Sequence, residues 1–306
     1  MAFIDRLREV PLVLEVVPPH RRASAKVLDG FAERVRNAAR TIPGLDALNL
    51  PEVLDENHVG RPFYRNLDPR RCVAMINHDL PVDTIVNKVV VHLGDAAAVE
   101  DWIRGSLDQG FRNFVLVGGT SSRNTYPGPS VAEANALFRQ VTDGQAGVSC
   151  GNITIPERPG EVERLLSKTR AGCDFFTSQV LFEPEPLTAV LLEYGEGCAA
   201  EGLRPATVLL SFAPVADYGD IEFLLWLGAS VSEETEEALL QDEVHPGQAS
   251  LEVAGALWSG MRDAMAASPH PVPLGVNVEE ISFHNFDLAM RMAAEFSRWK
   301  AAKVTR

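Results

Sequence analysis

The sequence predicts a single (β/α)8 TIM barrel, an α/β fold in which eight parallel strands close into a ring inside a layer of helices. β-Rich apolar runs alternate with amphipathic stretches, as expected of parallel strands joined by helical crossovers. Eight such units fit the 306 residues, a usual length for one barrel. The alternative is a doubly wound open sheet, but the sequence lacks the glycine-rich dinucleotide turn that usually follows an early strand there. We therefore expect one domain over residues 1–306.

The strands are predicted where apolar residues run together and end at proline, glycine or a polar cluster. They are 12–17, 45–50, 85–93, 111–117, 146–153, 173–182, 206–214 and 271–278. Helices are predicted where apolar residues recur at a spacing of three to four. They are 22–40, a helix within 62–80 that ends near Asn77, 96–109, 131–142, 159–171 and 185–201. Extra helices in three pieces within 218–268 are expected between the seventh and eighth strands, followed by a last helix over 283–300.

The chain is acidic, with 28 Lys and Arg against 42 Asp and Glu and a formal net charge of −14. Nucleic-acid binding draws on neutralisation of phosphates by basic side chains, so this balance disfavours it. Docking on an anionic membrane is disfavoured for the same reason. We expect small-molecule partners, and the sequence leaves the oligomeric state open.

Four cysteines are scattered along the chain without a CxxC pair, which is typical of a reducing compartment. The N-terminal segment has no long apolar region of a signal peptide, and no uncharged apolar stretch is long enough to span a membrane. We therefore expect a cytoplasmic protein. The seven histidines form no HxxxH or HExxH pattern, so a metal site is not expected.

In a (β/α)8 barrel the catalytic groups lie at the carboxyl ends of the strands, so polar residues at those ends are the candidates. Glu15 is the clearest, because it lies in the apolar run LVLEVVPP near the end of the first strand. Desolvation there should raise its pKa and make it a general acid near neutral pH. The alternative role is a structural ion pair with a barrel Arg or Lys.

Further candidates end the other strands, each with a structural role as its alternative. Gln179 ends the sixth strand, where an amide can both donate to and accept from a heterocycle. The other strand-end candidates for substrate binding are Asn49, with Glu52 nearby, His92, Asn152 and Asn277. Gly118, Gly119, Thr120 and Ser121 follow the fourth strand and could form a nest for a phosphate. Tyr218 follows the seventh strand and could stack on an aromatic substrate.

Read together, these strand ends resemble the methylenetetrahydrofolate reductase family, whose catalytic domain is a (β/α)8 barrel. LEVVPP is similar to the family's F-E-F-x-P-P element, which places Glu15 on its general acid. RAGCDFFTSQVLFEPEPL is similar to its D-A-G-A-D-x-x-x-T-Q-x-x-F-D stretch, which places Gln179 on its substrate-binding glutamine. VVVHLGD resembles the HLT element of the third strand. SFAPVADY resembles I-L-P-V-x-x-F, which places Tyr218 on the aromatic residue that stacks against the aminobenzoate of folate.

The chain departs from the family after the fourth strand. The family motif there ends R-G-D, with its Asp near flavin and pterin, whereas this chain has Val117-Gly118-Gly119-Thr120. Other basic residues that contact FAD in the family are also not evident. The resemblance therefore implies a folate site and leaves the flavin site unsupported, so we expect no bound FAD.

The implied reaction is reduction of 5,10-methylenetetrahydrofolate to 5-methyltetrahydrofolate, in one-carbon metabolism and methionine biosynthesis. Glu15 would supply the proton, Gln179 and Asn49 would anchor the pterin, and Tyr218 would stack. The hydride would come directly from NADH as co-substrate, and a preference for NADH over NADPH does not follow from the sequence. Three alternatives stay open: an FAD-dependent reductase of the same family, a reductase of a related pterin that uses a deazaflavin-type donor, and a non-catalytic folate-binding barrel.

Overall fold

The computed structural model describes residues 1–77, 80–120, 124–241 and 247–302. Its strands are β1 Leu12–Glu15, β2 Ala47–Leu50, β3 Leu54–Glu56, β4 Pro62–Tyr64, β5 Asp83–Val89, β6 Asn113–Val117, β7 Ser149–Thr154, β8 Phe175–Val180, β9 Thr207–Phe212 and β10 Leu274–Glu279. Its helices are α1 Phe3–Arg6, α2 Ala25–Thr41, α3 Pro69–Ile76, α4 Ala96–Asp108, α5 Val131–Val141, α6 Glu161–Arg170, α7 Glu185–Glu201, α8 Tyr218–Trp226, α9 Glu233–Leu240, α10 Gln248–Ala267 and α11 Phe286–Ala302.

Eight of these strands form a closed parallel barrel in the order β1-β10-β9-β8-β7-β6-β5-β2. Each barrel strand is followed by at least one helix, so the (β/α)8 prediction is confirmed. The three helical pieces predicted between the last two strands are α8, α9 and α10. Among the described residues, no helix combines the length and the apolar character needed to cross a membrane.

The inside of the barrel is apolar at the amino ends of the strands. One residue from each of six strands joins a buried cluster there: Val13, Ala47, Ile85, Val115, Phe175 and Leu209. Helix α1 closes this end, because Phe3 packs edge-on against Phe175 with ring centroids 5.6 Å apart. The Leu7 carbonyl also accepts a hydrogen bond from Thr207 Oγ1 at 2.7 Å. The amino-terminal end is thus plugged, and the opposite end is the place for a ligand.

The strand predicted over 85–93 ends at Val89, and Val90–His92 form a 3₁₀ turn instead. Two short elements also depart from the sequence prediction. The helix expected within 62–80 is confined to α3, and β3 and β4 before it form an antiparallel hairpin. The hairpin is tied to the loop after β1, since the Arg21 amide donates to the Arg65 carbonyl at 2.9 Å. Helix α1 was not predicted either, because four residues are too few to show helical periodicity. Both elements lie outside the barrel wall and leave its topology unchanged.

Candidate functional site at the carboxyl end of the barrel

A polar layer lies directly above the apolar one. Successive inward side chains of a strand are two residues apart. Two residues beyond the apolar layer, the inward positions are Glu15, Asn49, Asn87, Val117, Thr177 and Ser211. On β10 the inward residue Asn277 pairs with Ser211 of β9 and with Val13 of β1. The strands therefore place carboxyl, amide and hydroxyl groups together at the open end.

Glu15 is the centre of this layer. Asn49 Nδ2 donates to Glu15 Oε2 at 2.6 Å. Asn277 Nδ2 lies 3.4 Å from the same oxygen. Both amides sit on the strands that flank β1, so sequence-predicted residues from three neighbouring strands meet at one carboxyl group. The side chain is partly exposed at the mouth, so a ligand in the barrel can reach it.

Glu279 is a second carboxyl group in the layer and was missed by the sequence analysis. It pairs with Glu15 in the register of β1 and β10. Asn277 Nδ2 donates to Glu279 Oε1 at 3.2 Å, the same nitrogen that faces Glu15. In the sequence Glu279 precedes Glu280 at the very end of a strand, where paired acids usually indicate a solvated turn.

The two carboxyl groups have raised pKa values for related reasons. Burial raises the pKa of Glu15 well above its usual range, and the nearby Glu279 raises it further against the hydrogen bonds of Asn277 and Asn49. Burial raises the pKa of Glu279 to about 7, against the hydrogen bonds of Ser211 and Asn277. A protonated acid near neutral pH is therefore available at the mouth.

Several buried polar atoms in this layer have no hydrogen-bond partner among the described residues. They are Asn49 Oδ1, Asn87 Oδ1, Thr177 Oγ1 and Asn277 Oδ1. Buried polar groups are nearly always paired, so unpaired groups on four inward strands indicate a site for a polar ligand. Asn87 and Thr177 were not predicted, because polar residues inside strands carry no sequence signal for the face that they occupy.

Gln179 lies at the mouth, but its amide is engaged by backbone groups. Its Nε2 donates to the Leu227 carbonyl at 2.9 Å. Its Oε1 accepts from the Val180 amide at 3.1 Å. Gln179 thereby fixes the carboxyl end of α8 beside the mouth, and a ligand would have to replace at least one of these bonds.

Helix α8 presents an aromatic surface at the same end. Tyr218, its first residue, is 53% exposed. Further along the helix, the rings of Phe223 and Trp226 stack, with their centroids 5.8 Å apart and an interplanar angle of 22°. Trp226 is 72% exposed, which is unusual for a large apolar side chain. Ile221 and Leu224 face the opposite way and are fully buried, so the helix is anchored.

Asn152 does not join the site, which corrects its prediction as a substrate-binding residue. Its side chain is completely buried on the outer face of the barrel wall. Nδ2 donates to the Leu116 carbonyl at 2.9 Å, and Oδ1 accepts from Asn135 of α5 at 2.7 Å. The end of the strand was predicted correctly, but its neighbour Ile153 is the residue at the inward position.

His92 lies in the turn after β5 and contacts Glu56 of β3. Its side chain is 1% exposed, and Nε2 lies 2.9 Å from Glu56 Oε1. Thr120 Oγ1 and the Tyr126 hydroxyl each donate to Glu56 Oε2 at 2.7 Å. Burial alone would raise the pKa of Glu56, but the bonds from Thr120, Tyr126 and His92 outweigh it and lower the pKa. Glu56 is thus a carboxylate that holds the β3–β4 hairpin in place, and His92 is one of the groups that contact it. The nearby Glu52 has a similar structural role, since it accepts from Lys88 Nζ at 2.6 Å.

The loop after β6 is more filled than the sequence suggests. A Cβ at Gly119 would overlap the Tyr126 ring, so the tyrosine fills the space beside this glycine. The Thr120 amide and hydroxyl both donate hydrogen bonds to Glu56, so neither donor is available to a ligand. A Cβ at Gly118 would lie 3.4 Å from the Val131 side chain. Ser121 lies outside the described residues.

A groove of about 630 Å³ opens between the loop after β1 and the hairpin, and Tyr64 and Phe63 line it with Arg21 and Arg22. Neither of these two guanidinium groups has a hydrogen bond or ion pair within the described part of the chain. The same groove is also lined by Asp55 and Glu56, so it contains groups of both charges. In the described ranges, no group of three or more His, Cys, Asp or Glu is placed to hold a metal ion.

The fold is similar to that of an uncharacterized protein from Clostridium thermocellum that binds two copies of 5-methyl-5,6,7,8-tetrahydrofolic acid. The TM-score is 0.76 at 17% identity, over 96% of this chain and 98% of that one. The spore cortex-lytic enzyme SleL of Bacillus cereus has a TM-score of 0.51 at 10% identity, over 94% and 74% of the two chains. An oxaloacetate acetylhydrolase has a TM-score of 0.51 at 13% identity, over 95% and 86%. No family model matches the sequence, and no curated protein matches it. At these identities the likenesses establish the barrel fold.

Proposed function

We propose that the protein is a reductase that converts 5,10-methylenetetrahydrofolate to 5-methyltetrahydrofolate, with NADH as the hydride donor. The observation that carries the proposal is Glu15, an acid with a raised pKa inside a layer whose amide oxygens and Thr177 hydroxyl have no hydrogen-bond partner among the described residues. A pterin edge offers the alternating donors and acceptors that such a layer can bind. The folate bound by the structural neighbour supports the same substrate class.

The chemistry requires one proton and one hydride. Glu15 donates its proton to a nitrogen of the one-carbon bridge, the carbon–nitrogen bond breaks, and the electron pair stays on that nitrogen. The resulting iminium carbon accepts hydride from the nicotinamide and becomes a methyl group. General acid catalysis by a positioned side chain contributes on the order of 10²–10⁴ in rate.

In this proposal the polar layer and α8 bind different parts of the substrate. Asn49, Asn277 and Gln179 bind the pterin, and Asn87 and Thr177 add the unpaired groups that the sequence analysis missed. Tyr218 stacks on the aminobenzoyl ring, and the Phe223–Trp226 pair extends the same aromatic surface.

In this proposal NADH is a co-substrate that binds and leaves in each turnover, and the protein holds no resident flavin. The filled loop after β6 supports this, because Tyr126 covers Gly119 and Thr120 is engaged by Glu56. The anionic diphosphate of NADH fits the free guanidinium groups of Arg21 and Arg22 better than this loop.

The test is turnover by purified protein with methylenetetrahydrofolate and NADH or NADPH, without added flavin, with 5-methyltetrahydrofolate identified by mass spectrometry. The absorbance spectrum of the protein and a denaturation release assay report any bound flavin or deazaflavin. We expect product, no flavin absorbance, and a several-fold higher KM for NADH in Arg21→Ala/Arg22→Ala. Activity that depends on added FAD would favour the flavin-dependent alternative. Tight folate binding with no turnover on any donor would favour a binding protein.

A further inference from the structure

We propose that Glu15 and Glu279 act as one titrating unit that holds a single proton at the barrel mouth, with Glu279 as the positioning residue whose charge raises the proton affinity of Glu15. The catalytic consequence rests on the proposed reduction, whereas the shared titration stands on the geometry alone. No motif in the sequence points to Glu279, and nothing in the implied chemistry of Glu15 requires a second acid.

The register of the barrel strands brings the two glutamates together. Glu15 and Glu279 are Cα partners on the adjacent parallel strands β1 and β10. Both have inward parity, because Glu15 lies two residues beyond Val13 of the inner cluster and Glu279 lies two residues beyond Asn277. Their carboxyl groups therefore leave neighbouring strands on the same face and at the same height.

A hydrogen-bond donor common to both carboxyl groups shows that they lie close together. Asn277 Nδ2 lies 3.4 Å from Glu15 Oε2 and 3.2 Å from Glu279 Oε1. An amide NH₂ has two hydrogens, so it can bind one oxygen of each carboxyl group at once. The same nitrogen also lies 3.2 Å from Ser211 Oγ, which closes the network on the β9 side.

No cation offsets the pair within the described part of the chain. The side chains that face it from β2, β9 and β10 are Asn49, Ser211 and Asn277, all uncharged. Among the basic groups of the surrounding elements, Arg34 contacts Glu280, Lys88 contacts Glu52 and His92 contacts Glu56. Two carboxylates in one partly desolvated pocket repel each other, so one of them keeps a proton.

Both carboxyl groups accept two hydrogen bonds. Asn49 and Asn277 donate to Glu15, and Ser211 and Asn277 donate to Glu279. Burial raises the pKa of both groups, and the charge of Glu279 raises the pKa of Glu15 further. The pair therefore retains a proton that Glu15 can donate as a general acid. After Glu15 has given up its proton, the two anions repel, and this repulsion favours rapid reprotonation from solvent.

The experiment titrates the carboxyl groups directly, by infrared or ¹³C-carboxyl NMR spectroscopy of glutamate-labelled protein from pH 4 to 10. In Glu279→Gln we expect the midpoint of Glu15 to fall by on the order of one pH unit or more. Because coupling is mutual, Glu15→Gln should lower the midpoint of Glu279 by a similar amount. Glu279→Asp, which keeps the charge, should restore part of the shift.

Glu280→Gln is the matched control, since Glu280 is the adjacent buried acid but its carboxylate lies 3.3 Å from Arg34. It should leave the midpoint of Glu15 unchanged. In single-turnover reduction, Glu279→Gln should shift the alkaline fall in rate to lower pH by the same amount as the spectroscopic midpoint. Unchanged midpoints in both Glu279→Gln and Glu15→Gln would overturn the pair. Shifted midpoints without reduction by the wild-type protein would support the pair and reject the proposed reaction.

Discussion

At the scale of single residues, substitution of Glu15 distinguishes a role in catalysis from a role in folate binding. Glu15→Gln keeps the size of the side chain and an oxygen that can accept from Asn49, but it removes the proton. We expect the rate of reduction to fall by about 10²–10⁴, with the Kd for folate changed by less than about threefold. Stopped-flow reduction and calorimetric titration measure the two effects. Glu157→Gln, in the exposed loop after β7, is the control. Near-wild-type reduction by Glu15→Gln would remove Glu15 from the mechanism.

Gln179 tests whether the ligand competes with the protein for one amide. Gln179→Ala removes a donor to Leu227 and a candidate donor to the pterin. A net contribution of about 1 kcal/mol for such a hydrogen bond predicts a KM for folate that is roughly fivefold higher, with a smaller change in kcat. Gln109→Ala is the matched control, because Gln109 Nε2 also donates to a helical carbonyl, that of Gly105, away from the mouth. An unchanged KM for folate in Gln179→Ala would assign Gln179 to positioning α8 alone.

At the scale of elements, the β3–β4 hairpin depends on one carboxylate. Glu56 joins the hairpin to the segments after β5 and β6 through His92, Thr120 and Tyr126. Glu56→Ala leaves these donors unpaired, so we expect a loss of about 2–3 kcal/mol of unfolding free energy. Limited proteolysis should cut the hairpin faster, whereas Asp55→Ala, which removes an exposed ion pair with Arg65, should change little. Equal stability of the two variants would contradict the role of Glu56.

The same elements show what the sequence can and cannot predict. Strand ends follow from apolar runs and their stops, which is how Glu15, Asn49 and Asn277 were found. The inward or outward face does not follow, because these strands are buried on both sides and lack alternation, and a shift of one residue exchanges the faces. Asn152 was misassigned for this reason. The hairpin was missed because the contacts that fix it are distant in sequence, as with Glu56 and Thr120, which are 64 residues apart.

At the scale of the whole molecule, the barrel is built with two unlike ends. The amino-terminal end is sealed by Phe3 and Leu7 in an apolar cluster. The carboxyl-terminal end concentrates buried and partly buried acids, among them Glu15, Glu279 and Glu280, without giving each of them a cation. The large apolar core packs the barrel strands against the surrounding helices. Stability is therefore expected to depend on the protonation of the mouth.

The last prediction concerns this dependence of stability on pH. Burial raises the pKa of Glu280 from 4.5 to about 7, against the opposing effects of Arg34 and the Val17 amide. Between these two values the folded state holds a proton that the unfolded state has lost. The contribution of Glu280 is therefore fully present below about pH 4.5, falls as pH rises, and is lost above about pH 7. At 1.36 kcal/mol per pKa unit the loss amounts to roughly 3 kcal/mol.

Urea unfolding of the wild-type protein and Glu280→Gln at pH 5 and pH 8 isolates this group, because Glu15 and Glu279 titrate in both proteins. We expect the wild-type protein to lose roughly 3 kcal/mol more unfolding free energy than Glu280→Gln on going from pH 5 to pH 8. Glu56, whose pKa is lowered, titrates below this interval and does not interfere. Identical losses in the two proteins would mean that Glu280 is ionised throughout, held by the guanidinium of Arg34 at 3.3 Å. In that case its pair with Arg34 would outweigh the cost of burial, and the mouth would carry its charges at neutral pH.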